Sequence, residues 1–539
     1  MTAVTDRAPA RPDRDGFGQL LHAEWTKFRT VRGWVIGMIV AALASILVGL
    51  LAAGSANIGC RPPGGPVRTG RACLPAIPVG PGGEAVTDSF YFVRQQLARH
   101  GSITVRISGL SGRYGGGGGP AGASAAGGGA AGMTPGLQPW SKAGIIIAAS
   151  TRPGAAYAAM MATGRHGVRL QWDYTHDTAG LPGAVSAAAP RWLRLTRSGD
   201  TLTGYDSADG AHWTQVGTVT LPGLAGTVPA GLFAASPLHL DTTAFFGGSR
   251  GQSSGSEATA VFDHVVLRGG QPGARWTGGF IGGGQRAPYP LPAGGYRQAG
   301  DVLTVTGSGD IAPDVTGAGS TFPSTVIEDH LVGIFAGLIA VVVVAAMFMT
   351  AEYRRGLIRI TLAASPRRGR VLAAKAVIVG GTAFAAGLVA SIISVTIGTR
   401  LASAQGMYVL PVSLLTQIRV VAGTAALLAV AAVLALAIGA LLRRTAAAVA
   451  VGIVVIVLPF ILGVASVLPA GAAEWLLRLT PAAGFAIQQS LPAYAQVGAP
   501  YSPAGGYYPL APWAGFAVLC GYAALALTLA IVLLRRRDA

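Results

Sequence analysis

The chain has 539 residues, of which 51% are hydrophobic and only 12% charged, and its formal net charge is +18. Soluble domains carry about 25% charged residues, so these numbers exclude a single soluble globule and a disordered chain. A nucleic-acid-binding protein would concentrate its basic residues, whereas this chain has three lysines, Lys27, Lys142 and Lys375, and scattered arginines. We therefore expect no nucleic-acid partner.

Six apolar windows are long enough to cross a bilayer and contain no charged side chain: 34–53, 331–350, 376–399, 420–442, 445–468 and 510–534. About 20 apolar residues span the hydrocarbon core as a helix. The fold class predicted is therefore an α-helical polytopic membrane protein with six transmembrane helices. A cleaved secretory signal is the alternative for the first window, but its apolar run has full membrane thickness and no A-x-A site follows.

The basic residues of the short flanks and loops predict the orientation of these helices. Lys and Arg number 18 in segments 1–33, 351–375, 443–444 and 535–537, against three in the alternate loops, Arg400, Arg419 and Arg478. Basic residues favour the cytoplasmic side. We therefore expect a plasma-membrane protein with both termini in the cytoplasm, a cytoplasmic tail at 535–539 and an extracellular domain at 54–330.

The segment 54–330 has the pattern of an all-β domain inserted between the first two helices. Short alternating runs recur between turn residues, which is typical of a sandwich or jelly roll; they are 103–110, 143–150, 168–174, 192–197, 201–206, 213–221, 229–236 and 261–268. The glycine-rich stretch 111–136 reads as a flexible loop, and 269–330 reads as a stalk in which 303–313 forms a last strand.

Several stretches of this domain carry a resemblance to a known fold family. DSFYF at 88–92, WSKAGI at 140–145, WLRLTRSGDTLTGYDSADGAHW at 192–213 and FDHV at 262–265 resemble concanavalin-A-like, laminin-G-like jelly rolls over about 85–268. The aromatic residues Trp172, Tyr174, Tyr205 and Trp213 are candidate glycan contacts; packing in the sandwich core is the alternative. A glycosidase needs two close carboxylates, and the domain's three glutamates, Glu84, Glu257 and Glu328, lie far apart.

Two of the three cysteines, Cys60 and Cys73, lie outside in this topology. An oxidising compartment favours a disulfide between them, worth about 3 kcal/mol for a loop of this size. Cys520 lies in the last window, where a packing role is expected. No His/Cys cluster has metal-ligand spacing, so no metal site is expected.

The apolar windows offer no source of energy for transport. Ion-coupled transporters place ionisable residues within their helices, and these six windows contain none. A phosphate-binding loop requires G-x-x-x-x-G-K-[ST], which none of the lysines provides. We therefore expect a chain that is not an enzyme, binds no cofactor, and takes its energy from another subunit if it transports.

Two cytoplasmic segments resemble the permease subunits of type-2 ATP-binding-cassette exporters. The first is EYRRGLIRITLAASPRR at 352–368, and the second is LLHAEWTKFRTVR at 20–32. A third stretch, LPAGAAEWLLRLTPAAGFAIQ at 468–488, resembles the re-entrant or surface helices that this family has before its last span. The resemblance covers the six spans and their flanks, but the family usually has a short first outer loop, in contrast to the domain found here.

The resemblance implies a role for each cytoplasmic segment. The loop 351–375 would dock a separate ABC ATPase, which binds the ATP and Mg, through Glu352, Tyr353, Arg354, Arg355, Gly356, Arg359, Leu362, Ser365 and Pro366. The N-terminal segment would form an amphipathic entry helix on the bilayer surface, with Leu21, Trp25 and Phe28 on one face and Lys27, Arg29 and Arg32 available for headgroups. A second permease copy, or a related permease, would complete the path. The alternative is a membrane-anchored glycan or envelope sensor that works through its jelly roll.

Overall fold

The structure, a computed structural model, describes residues 16–55, 59–60, 66, 68–73, 77–115, 133–245, 248–271, 273–282, 294–315, 323–354, 356, 367–465, 468–498 and 501–536. Its α-helices are α1 Phe17–Thr30, α2 Arg32–Ser55, α3 Ile334–Arg354, α4 Arg368–Ala404, α5 Leu414–Leu442, α6 Thr445–Val464, α7 Ala470–Leu479 and α8 Pro512–Arg536. Six of these, α2 to α6 and α8, are long and apolar enough to cross a membrane. The prediction of six spanning helices is confirmed.

The spanning helices pack around α5, which contacts α3, α4 and α8. Small residues allow the closest approaches: a Cβ at Gly333, just before α3, would lie 2.0 Å from the carbonyl oxygen of Ser45 in α2. Within α6, residues Ile453–Val457 form a π-helical segment just before Pro459, which cannot donate a backbone hydrogen bond. The helix thus departs from regular α geometry next to this proline.

The strands are β1 Gly59–Cys60, β2 Arg68–Thr69, β3 Val86–Asp88, β4 Phe90–Gly115, β5 Met133–Pro135, β6 Lys142–Ala148, β7 Tyr157–Thr163, β8 Val168–Trp172, β9 His176–Ala179, β10 Arg191–Ser198, β11 Thr201–Ser207, β12 Thr214–Thr220, β13 Val228–Ala235, β14 His239–Phe245, β15 Gly248–Ser254, β16 Ser256–Gly270, β17 Thr277–Ile281, β18 Gly295–Ala299, β19 Val302–Gly307, β20 Ile311–Pro313, β21 Ser324–Thr325 and β22 Tyr408–Val409. Fourteen of them form one antiparallel sheet with the path β12-β11-β10-β4-β13-β6-β7-β8-β9. All but β22 lie between α2 and α3, as the inserted all-β domain requires.

The long strand β4 folds this sheet into two facing layers. Its first part pairs with β13, and its later part pairs with β10 and β16. Alternate residues of both layers, such as Ile145 of β6 and Leu195 of β10, fill one buried apolar core. The other face of β6, β7 and β13 is also buried, which explains why their burial is continuous and not alternating.

The sheet extends beyond residue 268, where the sequence predicted a stalk. Strand β19 pairs with β16 and β18, and β17 pairs with β4. The domain also joins the helical part directly, because β21 pairs in parallel with β22, which follows α4. The Gln496 side chain, in the segment after α7, donates a hydrogen bond of 3.1 Å to the carbonyl oxygen of Tyr174.

Candidate functional site

A buried ion cluster of Glu24, Lys27, Glu352 and Lys375 connects three helices at the end of the bundle away from the β domain. The Lys375 Nζ atom lies 2.6 Å from Glu24 Oε2 and 2.5 Å from Glu352 Oε1. The Lys27 Nζ atom lies 2.9 Å from Glu24 Oε1 and 3.3 Å from Glu352 Oε1. Two carboxylates and two ammonium groups make the cluster neutral overall, which is the condition under which charges tolerate burial.

Three elements bring these side chains together. Helix α1 buries Glu24 and Phe28, which lie one turn apart on one face. Glu352 lies in the last turn of α3, and Lys375 lies about 10 Å into α4 at 1.5 Å per residue. The Phe348 ring of α3 packs against Phe28 at 5.7 Å and accepts a cation–π contact from Lys375 Nζ at 4.9 Å. The half-exposed ammonium of Lys27 loses solvation by burial, yet its hydrogen bonds and charge attraction to Glu24 and Glu352 raise its pKa overall.

The sequence windows missed this cluster because each window ended at the first charge. In the structure α3 continues to Arg354 and α4 begins at Arg368, so Glu352 and Lys375 belong to helices and not to the connecting loop. Helix α4 therefore contains a buried lysine, and the spanning helices are not free of ionisable residues. The signal available in the sequence was the rarity of lysine: two of its three lysines lie in the cluster.

Three of the other predicted coupling residues, Tyr353, Arg354 and Gly356, lie at or just after the end of α3. Tyr353 is partly buried, with the Arg443 guanidinium 5.2 Å from its ring centre, whereas Arg354 is exposed. Gly356 is exposed and has a φ of +67°, a left-handed conformation that favours glycine. The remaining predicted residues lie outside the described residues: Arg355, Arg359, Leu362, Ser365 and Pro366.

The predicted entry helix is α1, and its apolar residues divide between two environments. Phe28 is only 3% exposed because it packs against α3, while Trp25 is 41% exposed and stacks on Phe28 at 6.3 Å. Leu21 is partly buried, and Arg29 and Arg32 are exposed. Lys27, which the sequence assigned to headgroups, contacts Glu24 and Glu352 instead.

At the other end of the bundle lies a cavity of about 690 Å³, the β-side cavity, between α2, α3 and α6. Its lining is mainly apolar and includes Val48, Val332, Phe335, Ala336, Ile339, Phe460, Ile461, Val464 and Phe485. Two carboxylates, Glu328 and Asp329, lie at its margin in the short 3-10 helix Ile327–Leu331 before α3. A pocket of this size and composition is typical of sites for small molecules.

Glu328 is the polar group of this cavity with the most unusual environment. Its Oε1 atom accepts a hydrogen bond of 2.8 Å from the backbone N–H of Ser490. Its Oε2 atom is buried and accepts none from the described residues. Desolvation by burial raises the pKa of Glu328 to about 7, although the hydrogen bond from Ser490 opposes the change. In the sequence this glutamate stands out only as one of three glutamates of the outer segment, because nothing local marks it as part of a cavity.

The candidate glycan residues of the β domain differ in accessibility. Tyr174 is 1% exposed, and its hydroxyl donates 2.8 Å to Asp88, so it occupies the core position that the sequence left as the alternative. Trp172, Tyr205 and Trp213 keep partly exposed surface. Trp213 is covered on one face by the Arg194 guanidinium at 3.8 Å, and Trp172 stacks on His176 at 4.8 Å.

Of the cysteines, Cys73 is disulfide-bonded and Cys520 is free. Strand β1, which ends at Cys60, pairs with β2 shortly before Cys73, but the side chain of Cys60 lies outside the described residues. The pairing of Cys60 with Cys73 stays a prediction. Among the described residues no group of three or more His, Cys, Asp or Glu side chains could hold a metal ion.

Comparisons with solved structures give only weak likenesses. A functionally unknown protein from Saccharomyces cerevisiae is 16% identical, with a TM-score of 0.21, over 36% of this chain and 82% of that chain. Scytalido-glutamic peptidase is 7% identical, with a TM-score of 0.25, over 41% of this chain and 98% of that chain. A GH43 protein from Bacillus licheniformis is 16% identical, with a TM-score of 0.16, over 25% of this chain and 24% of that chain. The concanavalin-A-like type of the β domain therefore stays a prediction.

A search of curated proteins gave no match to the chain. The family model described as ABC-2 family transporter protein matches residues 224–539, which is more than half of the chain and includes α3 to α8. Permeases of this family have no ATPase domain of their own and generally pair with an ATPase subunit. The six spanning helices and this match together show that the chain belongs to the ABC-2 transporter family and is a multi-pass membrane permease.

Proposed function

We propose that this chain is the transport subunit of an ATP-driven exporter, coupled to a separate ABC ATPase through the loop between α3 and α4. Two permease chains, either two copies or one copy and a related chain, would enclose the path. The excess of basic residues in the flanks supports a topology with both termini in the cytoplasm and the β domain outside the cell. In that topology the ion cluster lies on the cytoplasmic side, beside the loop.

The observation that carries this proposal is the position of α3 between the two sites. Its last turn holds Glu352 of the ion cluster, and its first turns hold Phe335 and Ile339 of the β-side cavity. The helix is about 31 Å long, from its 21 residues. A displacement of the loop by a bound ATPase would move one rigid helix, and because Lys375 binds both Glu352 and Glu24, α4 and α1 would move with it.

The docking of the ATPase at the loop can be tested separately from the transmission of its motion through α3. The tagged full chain is co-expressed with an ATPase encoded beside it, and we expect the two to purify together. Reversing two charges, Arg354→Glu with Arg359→Glu, should abolish co-purification. Arg354 is exposed, and Arg359 belongs to the segment between α3 and α4 that would meet the partner.

The matched control reverses an exposed pair at the other end of the bundle. Glu474→Arg with Arg478→Glu exchanges the partners of a 3.4 Å ion pair on α7 and should leave co-purification unchanged. Equal recovery of the ATPase with the loop variant and the wild type would contradict docking at this loop.

A further inference from the structure

The β-side cavity combines an aromatic wall with a carboxylate that lacks a complete set of partners. The rings of Phe460 and Phe485 stack at 3.9 Å, and Phe335 lies 5.4 Å from Phe460 and 6.4 Å from Phe485. All three rings line the cavity. An aromatic face attracts both apolar groups and cations.

The two carboxylates at the margin are not equivalent. Asp329 Oδ2 accepts hydrogen bonds from Thr325 Oγ1 at 2.7 Å and from the backbone N–H of Val326 at 3.1 Å, so it stabilises the short helix that contains it. Glu328 has one oxygen bound by Ser490 and one buried oxygen without a hydrogen bond from the described residues. A buried carboxylate oxygen left in this way costs free energy, which pairing with a bound cation would offset.

The charges around the cavity leave a net negative charge. Glu328 and Asp329 are opposed by Arg419, which interacts electrostatically with Glu328 while its Nη2 donates 2.7 Å to the carbonyl oxygen of Gln489. Burial lowers the pKa of His330, so its imidazole is neutral near pH 7. With Glu328 ionised, two negative groups and one positive group favour a ligand with a single positive charge.

The cavity can be reached from the side of the bundle. Four of its lining residues keep large exposed surfaces. They are Val48 of α2, Val332 just before α3, Ile339 of α3 and Ile461 of α6. Val48 lies about 10 Å from the end of α2 at Ser55, at 1.5 Å per residue. An amphiphilic molecule in the adjacent bilayer leaflet would have its apolar part at the depth of the three phenylalanine rings and its charged head at the depth of Glu328.

We propose that the β-side cavity binds an amphiphilic monocation, whose charged group pairs with Glu328 and whose apolar body lies against Phe335, Phe460 and Phe485. This inference rests on the proposed function only in assigning such molecules as transport substrates. The binding itself belongs to this chain and requires no ATPase.

The test uses two probes of the same size and shape and opposite charge, tetraphenylphosphonium and tetraphenylborate. Equilibrium binding of tritiated tetraphenylphosphonium to the purified full chain in detergent is measured by scintillation proximity, without any ATPase. We expect saturable binding, at least tenfold weaker in Glu328→Gln, and little competition by tetraphenylborate. Glu474→Gln removes a carboxylate that is 52% exposed on α7 and should leave the affinity unchanged.

A second variant keeps the test decisive if Glu328→Gln does not fold. Ala336→Trp places a large side chain in the cavity and should abolish binding while all carboxylates remain. Equal affinity of the wild type and Glu328→Gln, or equal binding of the two probes, would overturn the proposal. Because the ATPase is absent, neither outcome bears on the docking experiment above.

Discussion

At the scale of single residues, Lys375 and Glu328 are the two buried charges on which the account depends. Lys375 is matched by Glu24 and Glu352, so its burial is compensated. Within the described part of the chain Glu328 accepts a hydrogen bond at Oε1 alone, and Arg419 interacts with it electrostatically, so its charged form is stabilised far less. Lys375 should therefore act as a fixed connection between helices, and Glu328 as a site whose charge depends on pH or on a ligand.

Removing Lys375 alone and removing it together with the Glu352 charge should have different effects on the stability of the fold. Among the described residues, Lys375→Met leaves Lys27 as the one ion-pair partner of Glu24 and Glu352, and an uncompensated buried carboxylate typically costs about 3–5 kcal/mol. The double variant Lys375→Met with Glu352→Gln leaves a neutral Glu24–Lys27 pair and should recover most of that loss. Thermal unfolding of the purified chain measures both. A double variant less stable than Lys375→Met would show that the four charged side chains do not act as one compensated cluster.

The pH dependence of stability tests the environment of Glu328. A carboxyl whose pKa rises from 4.5 to about 7 on folding binds its proton more tightly in the folded state. The wild type therefore loses stability as the pH rises from about 4.5 through 7, by roughly 3 kcal/mol at most. Glu328→Gln cannot ionise, so its unfolding temperature should exceed that of the wild type at pH 8 and approach it at pH 5. A difference independent of pH would contradict the assigned burial.

At the scale of elements, α1 is fixed to the bundle mainly by Phe28 and the ion cluster. Phe28 contacts Phe348 of α3 and is almost fully buried, whereas Trp25 on the same helix is largely outside the packing. The helix thus lies against the spanning helices on one face and leaves the other face exposed.

Truncating Phe28 should release this helix. Phe28→Ala removes a buried ring, a change that typically costs about 3–5 kcal/mol, and hydrogen exchange of residues 17–30 should become faster. Trp25→Ala is the control, because that ring is 41% exposed and its loss should leave the exchange nearly unchanged. Similar exchange in the two variants would mean that Phe28 does not anchor the helix.

The sequence predicted elements best where their pattern was local. All eight predicted β runs coincide with strands of the main sheet, from β4 to β16. Burial of one face produces the alternation in β10 and β11, whereas β6 and β13 are buried on both faces. Strand β7, YAAMMAT, was missed because it lacks β-branched residues in its centre and is buried on both faces. The ion cluster was missed because its members lie up to 351 positions apart and meet only through helix packing.

At the scale of the whole molecule, α3 links an ion cluster at one end of the bundle to a cavity at the other. The β domain contacts the same cavity region indirectly, since Gln496, which donates to Tyr174, lies in the segment between Ser490 and Tyr508. Membership of the ABC-2 family is shown, and it makes an ATPase subunit the expected source of motion. We propose that this motion enters through the loop and reaches the bundle through the ion cluster.

The most direct test is the rate of ATP hydrolysis by the purified complex of this chain with its ATPase in nanodiscs. The variant Lys375→Met with Glu352→Gln removes the link without touching the loop, so we expect the same stoichiometry of subunits as in the wild type. The account predicts a hydrolysis rate at least fivefold different from that of the wild-type complex and close to that of the ATPase alone. Equal rates in the wild-type and variant complexes would contradict it.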